Sequence, residues 1–379
     1  MNAGYVISIS MSTMKEPPLH YRKNDTNIES IQIMRGVAAI LVVLLHISIK
    51  GEQYGNDALK GFTIGGAGVD LFFIISGYIM CVSTIGRDLN FNQFMLHRIR
   101  RIIPLYWLTT IIGLVIYLYK PDVINTSGGE TSIWASFTLV PNGKRYLNSN
   151  GWTLSFEFLF YILFGVLIHK GTYKAIRFSS VVLLVLVATG LLFSYNGNAF
   201  NFATNNLYLE FIYGMGCFYL FDKKIIRPNT AMGVSLCLVG TAMLAAELVF
   251  EIPNQELNRG WLWGIPMLMV FTGFLCMEGF VKGSTSIVKK LFLEAGNSSY
   301  SLYLFHPFTL SATALCLKSM HMTSNPYLFT VILFSVTVMA GYLVYLYVER
   351  PLVAVSRKFL AKKNPSTSPG TLRHTEKEF

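Results

Sequence analysis

The chain has 379 residues, of which 53% are hydrophobic and only 13% charged. An ordinary soluble domain carries roughly a quarter charged residues, so this composition excludes a typical soluble enzyme and points to repeated membrane spans. The formal net charge of +11 would suit a nucleic-acid partner, but no nucleic-acid-binding signature accompanies it. The five cysteines, Cys81, Cys217, Cys237, Cys276 and Cys316, lie in or beside apolar runs. They lack CxxC or Cys/His spacing, which argues against a disulfide framework and a zinc site.

Residues 1–30 are mostly polar, without the apolar stretch of a cleavable signal peptide. They read as a cytoplasmic N-terminal segment, with Met11 or Met14 as alternative starts, and the apolar run from Ile31 reads as a retained signal anchor. About ten spans follow, near 31–49, 64–84, 102–119, 153–169, 178–194, 205–221, 230–250, 261–281, 299–318 and 326–348, each close to the length a bilayer needs. The fold class is therefore all-α, a polytopic transmembrane helical bundle with both termini cytoplasmic. With the N-terminus inside, 23 of the 31 lysines and arginines fall on the cytoplasmic side, seven on the other, and Arg35 inside the first span. This asymmetry follows the positive-inside rule and accounts for the net charge without a nucleic acid. Residues 31–351 form one membrane domain. The outside segment 120–152 has an apolar stretch around Ile133–Val140 that reads as dipping into the membrane interface. Residues 352–379 form a basic cytoplasmic tail, predicted to be disordered beyond Lys363 from its Ser/Pro/Thr content.

Ionisable residues inside spans are costly and are functional candidates by default. The first span carries Arg35 near its inner end and His46 near its outer end, about 16 Å apart by helical rise. The second opens with Gly65-Gly66-Ala67-Gly68-Val69-Asp70. The fourth opens with Gly151-Trp152-Thr153-Leu154-Ser155-Phe156-Glu157, and the ninth contains His306-Pro307. Each also has a structural reading. Arg35 suits a snorkelling arginine, Asp70 a helix-start acid, Glu157 a buried ion pair, and His306 a hydrogen-bonded histidine at a proline kink. The spans place His46, Asp70 and Glu157 together in the outer third of the bilayer, where a histidine and a carboxylate suit proton transfer. At the opposite face, His97-Arg98-Ile99-Arg100-Arg101 runs into Pro104-Leu105-Tyr106-Trp107. Fixed cations beside aromatic rings suit a phosphate-bearing ligand, or a positive-inside anchor with an aromatic belt.

Taken together, these segments resemble the membrane-bound acyltransferase-3 family, which includes O-antigen and exopolysaccharide O-acetyltransferases. The carriers are Arg35 through His46, Gly68 through Tyr78, Arg98 through Trp107, Trp152 through Glu157, Tyr300 through Pro307, and Glu349-Arg350-Pro351. The wording is similar to the exopolysaccharide-production branch. Some members carry a fused extracytoplasmic esterase-like domain; the short stretch after the last span here leads us to expect none, which leaves open transfer by this chain alone or hand-over of the acyl group to a partner. The resemblance implies a multi-pass enzyme of the bacterial inner membrane that takes an acyl group from cytoplasmic acetyl-CoA or another acyl-CoA, with no bound cofactor or metal. The acceptor is a glycan outside, and polysaccharide-synthesis proteins are possible partners. It also implies His46 as base or acyl carrier, with Glu157 or Asp70 orienting it or binding sugar. Arg98, Arg101 and Arg35 are implied on the phosphates, and Tyr106, Trp107, Trp152 and His306 in substrate binding. The competing classes are a glycan transporter or flippase, for which internal repeat symmetry is missing, and a non-catalytic membrane scaffold.

Overall fold

A computed structural model describes residues 28–121, 128–193, 197–250 and 258–361. The N-terminal segment to residue 27 and the tail from residue 362 lie outside them. The described residues are helical, and their only β feature is an isolated bridge between Thr131 and Arg145. Seven helical stretches are long and apolar enough to cross a membrane: Glu29–Gln53, Ile64–Thr84, Phe91–Tyr119, Thr172–Leu192, Thr230–Glu247, Arg259–Cys276 and Pro326–Ser356. Gly151–Val166 is a shorter apolar helix. The expected spans near 205–221 and 299–318 fall on Tyr208–Asp222 and Ser299–Ser319. All ten expected spans thus coincide with helices, and seven of these meet the length and apolarity of a crossing.

Helix α1 (Glu29–Gln53) has no capping side chain of its own. Its first N–H groups, on Glu29 and Ser30, donate to the carboxylate of Glu278 at 3.0 and 2.8 Å. A distant acid thus satisfies donors that every helix start leaves open and complements the helix dipole. Helix α2 (Ala67–Thr84) runs antiparallel to α1 at very close range. A Cβ on Gly68 would lie 2.4 Å from the Ala38 carbonyl oxygen. On its other face α2 meets α8 (Tyr208–Asp222), where Cβ atoms at Gly77 and Gly214 would strike the carbonyls of Phe211 and Ile74 at 2.3 and 2.0 Å. Small residues permit this backbone contact in a membrane bundle.

Helix α3 (Phe91–Tyr119) starts earlier than the apolar run, because Asn90 and Gln93 form a reciprocal capping box. The basic residues expected in a connecting segment therefore lie on the first turns of α3. The segment after α3 turns back into the protein. Its short helix α4 (Ile133–Thr138) is held by α3, with Tyr106 Oη donating to the Ser136 carbonyl (2.6 Å) and Trp107 Nε1 to the Phe137 carbonyl (3.1 Å). Asn148 and Asn150 are then 1% and 3% exposed, so α5 (Gly151–Val166) begins below the surface. The remaining elements are α6 (Thr172–Leu192), α7 (Asn198–Ala203), α9 (Thr230–Phe250), α10 (Arg259–Leu262), α11 (Gly264–Cys276), α12 (Glu278–Gly283), α13 (Ile287–Asn297), α14 (Ser299–Ser319) and α15 (Pro326–Val344), which passes through a π-turn at Tyr345–Glu349 into α16 (Arg350–Ala361).

Two apolar clusters form the core. The smaller includes Val43, Ile47, Leu302 and Leu310, and Phe72 packs against both clusters. Helix α14 stays helical across Pro307, although proline cannot donate to the carbonyl four residues back. That carbonyl, on Tyr303, accepts from Asn150 Nδ2, and the next, on Leu304, accepts from Asn148 Nδ2 at 3.2 Å. The two asparagines thus fasten the re-entrant segment where the proline loosens α14. Asn150→Ala is expected to lower stability by about 1 kcal/mol, the scale of one interhelical hydrogen bond. The loss should shrink in a Pro307→Ala background, where residue 307 regains its N–H. Thermal unfolding of the four proteins in detergent measures both, and equal losses in the two backgrounds would refute the pairing.

Candidate active site

Helices α1, α2, α3, α5, α13 and α14 enclose a cavity of about 380 Å³. Three guanidinium groups line it: Arg35 from α1, and Arg98 and Arg101 from α3. Arg35 Nη1 donates to Gln32 Oε1 at 3.2 Å, and Arg98 Nη2 to Ser83 Oγ at 3.4 Å. Arg98 is 7% exposed and its Nε is buried without a partner. None of the three forms an ion pair among the described residues. The carboxylates whose fields reach Arg35 are Glu349 and Glu157, and both are engaged by hydroxyls. Glu349 accepts from Ser301 Oγ (2.5 Å), and Glu157 Oε1 accepts from Ser76 Oγ (2.9 Å) and from Tyr161 Oη. Ser299, another lining residue, has its hydroxyl buried and unpartnered. Buried donors with spare capacity around a cationic hollow describe an anion site.

His46 and His306 do not line this cavity; they form a pair beyond it, with ring centroids 4.6 Å apart in an edge-on arrangement. Nδ1 of His46 lies 2.9 Å from the Val42 carbonyl oxygen. A carbonyl can only accept, so Nδ1 carries the proton and Nε2 presents the lone pair of a base. His306 is related in the same way to the Leu302 carbonyl at 3.3 Å, and its Nε2 is buried without a partner.

Asp70 and Glu157 do not share a layer with His46. Gly65 packs on Leu41 and Leu45, and Gly68 on Ala38 and Val42. This register sets Asp70 opposite Ala38, about 12 Å along α1 from His46. Ser76, the partner of Glu157, lies about 9 Å further along α2. Counting in from assumed span ends misses this offset, because α1 extends to Gln53 and α5 starts beneath the re-entrant segment. Neither carboxylate hydrogen-bonds His46, whose Nδ1 is held by Val42 instead, so the expected orienter role of Glu157 or Asp70 is not what the packing provides.

Asp70 is fully buried and pairs with Arg259, which lies just outside the span expected at 261–281. Arg259 Nε lies 3.1 and 3.0 Å from the two carboxylate oxygens, and Nη2 lies 2.7 Å from Oδ2. Its guanidinium sits 4.8 Å from the Trp263 ring and 5.9 Å from Trp152, so Trp152 belongs to this cluster. Glu210, fully buried on α8, lies within hydrogen-bonding reach of Asp70. Glu247 nearby accepts from Trp263 Nε1. Tyr106 and Trp107, expected at a ligand, spend their donors on α4 carbonyls and stay outside the cavity. Sequence reasoning missed Arg259, Glu210, Tyr161 and Tyr303. Glu210 was legible as an acid inside a span, and Tyr161 as the i+4 neighbour of Glu157.

The model of the acyltransferase domain family matches residues 28–346. The exopolysaccharide production protein ExoZ of Rhizobium meliloti (strain 1021) is 31% identical over 309 residues, covering 78% of this chain and 92% of that protein. A Bacillus subtilis (strain 168) protein, YrhL, provisionally named a peptidoglycan O-acetyltransferase, is 23% identical over 88% of this chain. A Staphylococcus aureus (strain COL) protein provisionally named an O-acetyltransferase is 25% identical over 74%. The chain spans about half the length of these last two, 56% and 50%. No solved structure is significantly similar.

Removing Arg259 leaves Asp70 and Glu210 buried without a cation. Breaking a buried pair in this way costs about 3–5 kcal/mol, so Arg259→Ala is expected to lose most of its folded yield or unfold far below the wild type on heating in detergent. Arg259→Lys should fall between them, since an ammonium cannot reproduce the two-pronged contact. Wild-type stability in Arg259→Ala would show that the pair contributes nothing.

Proposed function

The chain belongs to the acyltransferase-3 family and is an acyltransferase enzyme, and on that premise we propose that it is a membrane O-acetyltransferase moving an acetyl group from cytoplasmic acyl-CoA to a hydroxyl of an extracytoplasmic glycan such as exopolysaccharide or O-antigen. The observation that carries this reading is the cavity with three arginines that form no ion pair among the described residues. It lies at the end of the bundle where α1 and α3 begin, the basic end that the charge pattern assigns to the cytoplasm. The reading sets ten crossings, with both termini on that side, in the inner membrane of a bacterium. Polysaccharide-synthesis proteins would supply the acceptor.

Arg98, Arg101 and Arg35 hold the donor's phosphates by charge-assisted hydrogen bonds. Glu157 and Glu349, held by hydroxyls, moderate the positive field without closing the site. The slender arm of the donor extends along α1 toward the histidine pair. Nε2 of His46 takes the proton from the acceptor hydroxyl as its oxygen attacks the thioester carbon. The C–O bond forms, the C–S bond breaks, and the proton passes to the departing thiolate. The same lone pair also suits attack on the thioester itself to give an acyl-histidine, which the acceptor then discharges. His306, seated against His46, fixes its ring in either route. Val42 maintains the tautomer, the part first expected of Glu157 or Asp70.

Transfer of labelled acetyl from acetyl-CoA to surface glycan tests the reading. His46→Ala at matched expression is expected to lose about 10²–10⁴-fold, the usual worth of a general base, and full activity would remove His46 from catalysis. Arg98→Ala should raise the acetyl-CoA concentration needed for half-maximal rate by about ten- to a hundredfold, the worth of one charge-assisted bond. An unchanged donor dependence would take Arg98 out of the donor site.

A further inference from the structure

The cavity lining forms layers along the bundle. Ile28, Gln32, Arg98 and Asn297 line the cavity at the basic end, and the lining residues toward the histidines are Val69 and Phe72 on α2 with Thr153 and Tyr303. Phe72 and Tyr303 meet edge to face with centroids 5.7 Å apart. Just past them stands His306, whose ring centroid is 6.0 Å from that of Tyr303, and then His46. The two aromatic rings therefore lie between the anion-binding hollow and the imidazole pair.

The two rings are held differently. Tyr303 is pinned at its backbone carbonyl by Asn150 and at its hydroxyl by Thr153 Oγ1, 2.8 Å away. Phe72 is half-buried, has no hydrogen-bonding group on its side chain, and packs against both core clusters. A group passing from the hollow to His46 meets one fixed wall and one wall that yields by side-chain rotation.

We propose that Phe72, closing against the fixed ring of Tyr303, sets the upper size of the acyl group this enzyme transfers, so that acetyl passes and longer chains are refused. This rests on the acyl-CoA reading of the cavity. The acyl group is the leading end of a donor anchored by its phosphates at the arginines. It must therefore fit past Phe72 and into the space before His46, whereas the rest of the donor stays behind. Discrimination by an apolar wall runs at about 10–200-fold per methylene, enough to separate acetyl from butyryl. The same closure keeps water in the hollow away from the thioester carbon when no acceptor is in place.

The test measures transfer from acetyl-, propionyl- and butyryl-CoA by the full-length protein in proteoliposomes with glycan acceptor. The wild type is expected to lose at least about tenfold in kcat/KM from acetyl to butyryl. Phe72→Ala should raise the butyryl-to-acetyl ratio at least tenfold. Phe72→Leu, which preserves apolar packing between the two clusters, should raise it by less. A wild type that uses acetyl and butyryl equally overturns the proposal without any variant. So does an unchanged ratio in a folded Phe72→Leu protein. A wild type that transfers from no CoA thioester overturns the donor reading and this proposal with it.

Discussion

Three guanidinium groups held inside an apolar bundle without an ion-pair partner among the described residues are the constraint around which the rest of the structure is arranged. Charge in such surroundings is costly unless something compensates it. The protein offsets part of the cost with hydroxyls, a glutamine side chain, and two carboxylates near enough to be felt but bonded elsewhere. A fully paired set would be more stable and would have nothing left for a ligand. The capping box at Asn90 belongs to this arrangement. It starts α3 two turns before Arg98 and so fixes the positions of Arg98 and Arg101 on rigid helix, where a connecting loop would leave them to wander.

The far side of the site depends on a second constraint, the proline at position 307. A proline inside a helix frees a carbonyl, and here the freed groups are the hooks that hold the re-entrant segment through Asn148 and Asn150. That segment lowers the start of α5, which in turn lowers Glu157 to the level of the arginines. The adjacent His306 faces His46 from the same turn of α14. One residue thus couples the position of the histidine pair to the depth of the acid on another helix. The buried Asp70–Arg259 pair, with Trp152 and Trp263 around it, braces α2 against α10 and α11 at the same end.

How much of this the sequence discloses depends on whether the signal is local. Helical class, the ten helices and the candidate polar positions follow from apolar run length and from charges where charges are expensive, and Arg35, Arg98 and Arg101 do share one cavity. The depth of each residue does not follow. It depends on the span ends, and these are displaced by features that apolarity cannot report: a capping box, a segment folding back into the bundle, and a glycine-mediated register between α1 and α2. Arg259 escaped for a similar reason, since a residue beside a span end counts as outside until a buried acid is found to claim it. Tyr303 was visible within a motif, but its place between cavity and histidines requires three helices to be in position.

Arg35 and His46 are eleven residues apart on one uninterrupted helix. Eleven residues make about three turns, so the two side chains project within about 20° of each other and about 16 Å apart along the axis. On the proposed reading, an anion-binding group and a base on the same face of one helix form a ruler whose length is set by the covalent backbone. Substitutions elsewhere can loosen the bundle without changing that separation. A donor gripped at its charged end therefore presents its reacting carbon at a fixed height, and the only variable left along that face is what stands between the two residues. In this structure it is Phe72, wedged between the two apolar clusters and facing Tyr303. The proposal thus puts binding on a rigid helix and selection on a side chain that can turn, which would let the one be altered without disturbing the other.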